Sequence, residues 1–153
     1  MGDGYFYHLT EHPLEVTLPM LLQKSLAAGW RVAVRSGVEA LIERLDVTLW
    51  LGEGFLPHGV AGGPHDAEQP VLLTKGDAKN AAHCLMAVAQ APVSIDEVKT
   101  AERVCILFDG ADPEAVDHAR GQWRAMTDAG LAAQYWADEG GRWQKKAESA
   151  SKT

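Results

Sequence analysis

Strand-like and helix-like segments alternate along this chain, and this alternation limits the possible folds more than any other feature of the sequence. Apolar or β-branched runs at 5–9, 30–34, 71–74, 84–89, 104–108 and 131–136 are typical of strands. Amphipathic segments at 14–28, 36–50 and 113–129, and a short one that begins at 94, are typical of helices. Because short loops between strand and helix favour crossover connections, we expect a three-layer α/β/α domain with a mostly parallel sheet.

Polar residues mark where several helices begin and end. The segments 36–39 and 94–97 each read Ser-x-x-Glu, which is the capping-box pattern of a helix N-terminus. Asp112 is followed by Pro113, a pair that favours the first turn of a helix. Gly29 and Gly130 follow apolar-periodic segments, where glycine commonly ends a helix.

The charge of the chain is unevenly distributed. The 153 residues carry a formal charge of -7, but residues 1–139 hold ten bases and twenty acids, whereas residues 140–153 hold four bases and one acid. We therefore expect one α/β domain over 1–139, followed by a basic and partly flexible tail over 140–153. An acidic domain lacks the basic face that general nucleic-acid binding requires, so a direct DNA-binding role is disfavoured.

Other features concern the compartment in which the protein works. Cys84 and Cys105 lie inside apolar runs, which predicts buried free thiols in a reducing compartment. No apolar run approaches the ~20 residues of a membrane-spanning helix, and the first residues do not resemble a signal peptide. The sequence thus favours a cytoplasmic protein without membrane contact.

The predicted fold is typical of nucleotide-binding proteins, yet the motifs of nucleotide chemistry are missing. The glycine cluster at 52–54 lacks a third glycine and follows a helix, so it does not match a phosphate loop. The histidines are scattered rather than paired at metal-ligand spacing, and no G-x-S-x-G sequence occurs. We expect no catalytic residues, no metal and no cofactor, and we interpret the chain as a non-enzyme.

The helix predicted at 113–129 carries an unusual stripe of side chains. At 100° per residue, one side of the helix collects Ala115, Ala119, Met126 and Ala129. Trp123 and Val116 lie at the margin of this side, and Arg120 and Arg124 come next. An indole beside two guanidinium groups suits an acidic, partly apolar peptide; a core tryptophan with two solvated arginines explains the same pattern.

A second aromatic group lies near the end of the helix predicted at 36–50. Trp50 is followed by Phe55 and Pro57 in a glycine-rich segment. These residues are either an exposed anchor for a partner protein or the packed interior of the loop, and the sequence leaves both readings open.

The order and spacing of several short motifs resemble those of a known family, the chi subunit of bacterial DNA polymerase III. These motifs are 6–9 (FYHL), 29–32 (GWRV), 49–50 (LW), 55–59 (FLPHG), 70–73 (PVLL), 103–110 (RVCILFDG), 119–130 (ARGQWRAMTDAG), 135–136 (YW) and 143–146 (WQKK).

The resemblance implies a non-catalytic replication adaptor. Chi-like proteins bind the acidic C-terminal tail of single-stranded-DNA-binding protein, and they connect it through a small psi subunit to the clamp loader of the holoenzyme. The tail-binding pattern of the family falls here on Arg120, Trp123 and Arg124, with Val116 where some relatives carry a further basic residue. The psi-binding positions fall on Trp50, Phe55 and Pro57.

The resemblance also implies that DNA is reached only indirectly, and that a psi-type partner does not accompany every chi-like chain. Two alternative functions remain open at this point. One is an interaction module for a different assembly, such as a repair helicase, and the other is a small nucleotide-binding enzyme on the same scaffold.

Overall fold

A computed structural model describes residues 2–52, 56–139 and 142–149. Within these residues the strands are β1 (Asp3–Leu9), β2 (Val32–Ser36), β3 (Gly59–Val60), β4 (Val71–Thr74), β5 (Cys84–Val88), β6 (Arg103–Asp109), β7 (Ala133–Glu139) and β8 (Arg142–Ser149). The helices are α1 (Leu14–Ala27), α2 (Glu39–Leu51), α3 (Ile95–Thr100) and α4 (Pro113–Asp128), with one 3₁₀ turn at Asp66–Glu68.

The described strands form a single sheet in the order β3-β4-β2-β5-β6-β1-β7-β8. Neighbouring strands are parallel from β3 to β7, and only β8 runs antiparallel to its neighbour β7. Parallel neighbours require crossover connections. The four helices supply those that follow β1, β2, β5 and β6, whereas β3 to β4 and β4 to β5 are joined without an α-helix. The expected α/β fold with a mostly parallel sheet is therefore confirmed.

Successive side chains along each strand point to opposite faces of the sheet, and each face packs into a separate hydrophobic core. Met86 and Cys105 face one side of the sheet, where α1 and α2 cover them with leucine-rich stripes. Leu85 and Ile106 face the other side, which packs against α3 and α4. Because both faces of a parallel sheet are covered, the central strand β5 is apolar throughout. Both cysteines are buried and reduced, as the sequence predicts.

Glu97 joins α3 to the sheet through two interactions. It completes the capping box predicted at 94–97, since its backbone N–H donates to the Ser94 hydroxyl and its carboxylate accepts from the Ser94 N–H. The same carboxylate pairs with the buried guanidinium of Arg35 on β2, with Nη1 and Oε1 3.0 Å apart. The hydrogen bond from Arg35 lowers the pKa of Glu97 to about 2.

The capping box predicted at 36–39 is wrong. Ser36 is the last residue of β2, and its hydroxyl instead forms a local turn by bonding the backbone of Val38. Helix α2 begins at Glu39 without a side-chain cap. The pattern fails because Ser36 lies inside the strand, two residues before the N-cap position at Val38, and is too early to receive the N–H groups of the helix.

The C-terminal part of the sheet also differs from the sequence prediction. The sequence predicts that the last strand ends at Trp136 and that a polar tail follows. Strand β7 continues to Glu139, and residues 142–149 return as β8 along its edge. Polar and basic side chains suit an exposed edge strand, because neither face of such a strand has to be apolar. Their charges also disfavour pairing of this edge with other chains. Lys145 and Lys146 form ion pairs with Glu148 and Glu139.

The carboxylate of Asp138 on β7 fixes the loop that follows β1. It is almost completely buried and accepts hydrogen bonds from the backbone N–H groups of Thr10, Glu11 and His12, at 2.8, 3.1 and 2.6 Å. The Thr10 hydroxyl donates to it as well. Burial opposes ionisation, but the hydrogen bonds from Thr10 and His12 outweigh this effect and lower the pKa of Asp138 to about 2.

Among the described residues, no helix is both long enough and apolar enough to cross a lipid bilayer.

We predict that Asp138→Asn lowers the free energy of unfolding by about 1–3 kcal/mol at pH 7, because an amide turns a donor toward buried N–H groups. Since the folded-state pKa of Asp138 lies below the ordinary value of about 3.9, its stabilising contribution is present at neutral pH and is lost as the pH falls from about 5 toward 2. The difference between variant and wild type, measured by urea denaturation, therefore shrinks at low pH.

The matched control is Asp3→Asn, since Asp3 is exposed and this substitution is expected to change stability by less than about 0.5 kcal/mol. Equal losses in the two variants at pH 7 would contradict the role given to Asp138.

Candidate functional site

A cap at its first turn and two hydrogen bonds to the segment before α3 hold helix α4 in place. The Asp112 carboxylate caps its first turn by accepting from the Glu114 N–H at 3.0 Å, and Pro113 occupies the first helical position. The Gln122 side chain binds both backbone groups of Val93, accepting its N–H at 2.9 Å and donating to its carbonyl at 3.2 Å. The helix therefore has one defined rotation relative to the sheet.

That rotation places Ala115, Ala119 and Met126 in the core, as the helical wheel predicts. The same prediction is wrong for Ala129, which is exposed. Ala129 is the C-cap residue, and the chain leaves the helix there through Gly130, whose φ of 79° suits glycine.

Trp123 lies at the boundary between core and solvent. Its half-buried ring makes an edge-to-face contact with the buried ring of Phe6, with centroids 5.4 Å apart. It also meets Tyr135 of β7 at 6.2 Å. Part of the indole thus contributes to the core, and part remains at the surface.

Arg120 and Arg124 are exposed beside this indole, one helical turn apart. Neither guanidinium forms an ion pair with any of the residues that the structure describes. Val116 is half-buried one turn before Arg120 and packs against the core. The four predicted residues Val116, Arg120, Trp123 and Arg124 therefore form one continuous stripe, which we call the α4 surface.

Tyr135 belongs next to the α4 surface, although the sequence analysis did not assign it to this site. Its hydroxyl is hydrogen-bonded to Nδ1 of His8, and burial raises its pKa while the positive charge of Arg120 acts in the opposite direction. Arg120 consequently lies within electrostatic reach of this ring. The pairing of Tyr135 with Trp123 depends on how β7 registers against β1, which no local motif in the sequence specifies.

The α4 surface is suited to binding rather than to bond-breaking chemistry. Two guanidinium groups with unused N–H donors can each grip a carboxylate in a bidentate manner, and the adjacent aromatic rings offer apolar area. A short acidic segment that also carries an apolar side chain would use both features.

The second predicted site lies at the end of α2. Trp50 is 55% exposed, and its ring packs 4.3 Å from the ring of His58. His58 is itself buried, with Nδ1 2.9 Å from the Leu56 carbonyl oxygen and Nε2 2.9 Å from the Asp46 carboxylate. The imidazole thus provides a firm support that keeps the indole at the surface.

The neighbours of Trp50 extend this site into an apolar area. Val47 and Leu51 lie three residues before it and one after it on α2 and are exposed by 55% and 81%. We call Val47, Trp50 and Leu51 the α2 patch. Pro57 is half-buried, and Phe55 lies outside the described residues. Val47 and Leu51 could have been found from the sequence, because the inward stripe of α2 already uses Leu41, Ile42, Leu45 and Leu49.

A cleft of about 590 Å³ at the carboxyl ends of β1 and β6 occupies the place where α/β proteins usually bind nucleotides. Its lining includes the carboxylates of Glu15, Asp109 and Asp112. This acidic lining disfavours phosphate groups. Within residues 2–52, 56–139 and 142–149, no group of three or more His, Cys, Asp or Glu side chains is arranged to hold a metal ion.

Comparison with models of protein families matches residues 1–134 to the family described as DNA polymerase III chi subunit, HolC. The matched range includes β1 to β6, α1 to α4 and the first residues of β7, and it contains both the α4 surface and the α2 patch. A search of curated protein sequences finds no significant match.

Proposed function

Because this chain belongs to the DNA polymerase III chi subunit family, we propose that it is a non-catalytic adaptor, which connects the replicase to the acidic C-terminal tail of single-stranded-DNA-binding protein. The tail binds at the α4 surface. Arg120 and Arg124 grip its carboxylates, and the exposed part of Trp123 contacts its apolar side chains. The protein performs this function in the cytoplasm as part of the holoenzyme.

The observation that carries the proposal is the pair of unengaged guanidinium groups beside a half-buried indole. Among the residues that the structure describes, neither Arg120 nor Arg124 has a carboxylate partner. Both therefore remain available for an acidic peptide, and the rigid attachment of α4 holds them in place before binding, which lowers the entropic cost.

The charge of the whole protein supports an indirect route to DNA. A formal charge of -7 repels the phosphate backbone, whereas two local cations can still bind a flexible acidic tail. The protein thus reaches single-stranded DNA through another protein that already covers it.

The α2 patch is proposed as the surface that binds a psi-type subunit, and through it the clamp loader. A stable contact needs apolar groups that lose water on binding, and Val47, Trp50 and Leu51 provide them on one side of α2. The patch and the α4 surface lie on helices that cover opposite faces of the sheet, so one partner does not exclude the other.

We predict that a peptide copying the acidic tail binds this protein with a Kd in the micromolar range, about -8 kcal/mol. Arg120→Ala and Arg124→Ala each weaken binding by about 1–3 kcal/mol, because each removes a charge-assisted contact. Isothermal titration calorimetry measures both effects, and the affinity is expected to fall as salt rises, since exposed charge pairs are screened within ~10 Å at 0.1 M salt.

Lys79→Ala is the matched control for these arginine variants, because Lys79 is an exposed cation away from α4. It should leave the affinity unchanged. An unchanged affinity in the double variant Arg120→Ala/Arg124→Ala would show that the tail does not bind at the α4 surface.

For the α2 patch, we predict that Trp50→Glu abolishes co-purification with a psi-type subunit while tail-peptide binding remains at the wild-type level. The charge introduced would have to be buried at the interface without a partner. The control is Glu43→Gln, an exposed change on the same helix. Co-purification of Trp50→Glu at the wild-type level would place that partner elsewhere.

A further inference from the structure

A second cavity, unrelated to the two proposed surfaces, lies on the α1 side of the sheet between α1 and the hairpin β7–β8. Its volume is about 470 Å³, within the range of small-molecule pockets. We call it the aromatic pocket, since five aromatic side chains line it: Tyr5, Tyr7, Trp30, Trp136 and Trp143. Two cations, Lys24 and Arg103, line it as well.

Arg103 is held between two of these rings. The carbon at the centre of its guanidinium lies 4.1 Å from the ring centre of Tyr5 and 5.1 Å from that of Trp30. The side chain is half-buried, yet it makes no ion pair or side-chain hydrogen bond with the residues that the structure describes. Cation–π contacts use the faces of the guanidinium and leave its N–H groups directed outward for an anion.

The rings on the other side of the pocket are also fixed in place. Trp143 of β8 meets Tyr7 edge to face with centroids 5.4 Å apart, and burial raises the pKa of Tyr7, so that its hydroxyl stays protonated. The indole N–H of Trp136 is already bonded to the Gln134 side chain at 3.0 Å. These residues therefore offer mainly aromatic area, together with the hydroxyl of Tyr7 as a single donor, and this combination suits a planar ring that carries polar edges.

We propose that the aromatic pocket binds a nucleotide, with the base against the aromatic rings and the phosphate at Arg103 and Lys24. Base–aromatic contact combined with guanidinium–phosphate pairing is a general means of holding a nucleotide without a glycine-rich loop. An acidic peptide would satisfy the two cations but would leave the rings of Tyr7, Trp136 and Trp143 without a planar partner.

The location of the pocket separates it from the nucleotide site that an α/β fold would suggest. The aromatic pocket lies on the face of the sheet that α1 covers. The usual nucleotide site would lie at the carboxyl ends of the strands, where Glu15, Asp109 and Asp112 are found. Trp136 and Trp143 also fall beyond residue 134, where the family match ends. The pocket is thus completed by one residue of β7, which the sequence predicts as a strand, and one residue of β8, which the sequence prediction places in a tail. It does not depend on the proposed adaptor function.

Calorimetric titration of the full chain with thymidine monophosphate, thymidine and a ten-nucleotide oligothymidylate tests this proposal. The monophosphate is expected to bind at least about tenfold more tightly than thymidine, because only the former carries the anion that pairs with the arginine. If the oligonucleotide binds much more tightly than the monophosphate, the nucleotide that occupies the pocket is part of single-stranded DNA. If it does not, the natural ligand is a free nucleotide.

Two variants locate the binding. Arg103→Gln is expected to lower the affinity for the monophosphate about tenfold, and Lys24→Glu, at an exposed residue, is expected to lower it about fivefold. Lys24→Glu keeps the test valid if Arg103→Gln disturbs the packing of the rings, and Lys79→Ala, at an exposed cation outside the pocket, is the control that should leave nucleotide affinity unchanged.

The proposal is overturned if neither the monophosphate nor the oligonucleotide binds at concentrations up to about 5 mM, or if Lys24→Glu binds the monophosphate as tightly as the wild type. Displacement of bound monophosphate by an acidic peptide in the Arg120→Ala/Arg124→Ala background would identify the pocket as a peptide site instead. The nucleotide titrations do not bear on tail binding at α4, which the tail peptide alone tests, so the two proposals fail or succeed separately.

Discussion

The contact between Trp123 and Phe6 sets how α4 meets the sheet, and the proposed adaptor surface depends on it. A parallel sheet must be covered on both faces, and α4 is the principal cover over β6 and its neighbours on the side of Phe6. Phe6 is completely buried, so the indole that touches it cannot turn outward without opening the core. The same rotation brings Arg120 and Arg124 to solvent, because they follow Trp123 around the helix.

Covering the two sheet faces with different helices has a further consequence for assembly. The α2 patch lies on a helix of one face, near the β3 edge, and the α4 surface lies on a helix of the other face, close to β7. Two proteins can therefore be held at once by a small domain without any motion between its parts. This arrangement is what the proposed adaptor role requires.

Much of the fold could be predicted because local patterns and tertiary packing agree. The short helix α3 follows its Ser94 capping box, and α4 follows Asp112 and Pro113, since both signals act within one turn of the helix. The capping box predicted at Ser36 was wrong because strand β2 extends further along the chain than its apolar run suggests. Strand β8 was missed because an edge strand gains its stability from pairing with β7, and its own residues, such as Lys145 and Lys146, carry no strand pattern.

The candidate sites divide in the same way. The stripe on α4 was predictable because helical geometry alone brings Val116, Arg120, Trp123 and Arg124 together. The addition of Tyr135, and the whole aromatic pocket with Trp30, depend on contacts between distant parts of the chain, which spacing along the sequence does not reveal.

Nuclear magnetic resonance of the tryptophan side chains can show whether the partly exposed indole of Trp123 contacts the acidic tail. The chain contains five tryptophans, whose indole N–H signals can be assigned by single substitutions. When the tail peptide is added, we expect the Trp123 signal to move most and the signals of Trp50 and Trp143 to stay in place. A Trp123 signal that does not move while another indole responds would contradict this expectation.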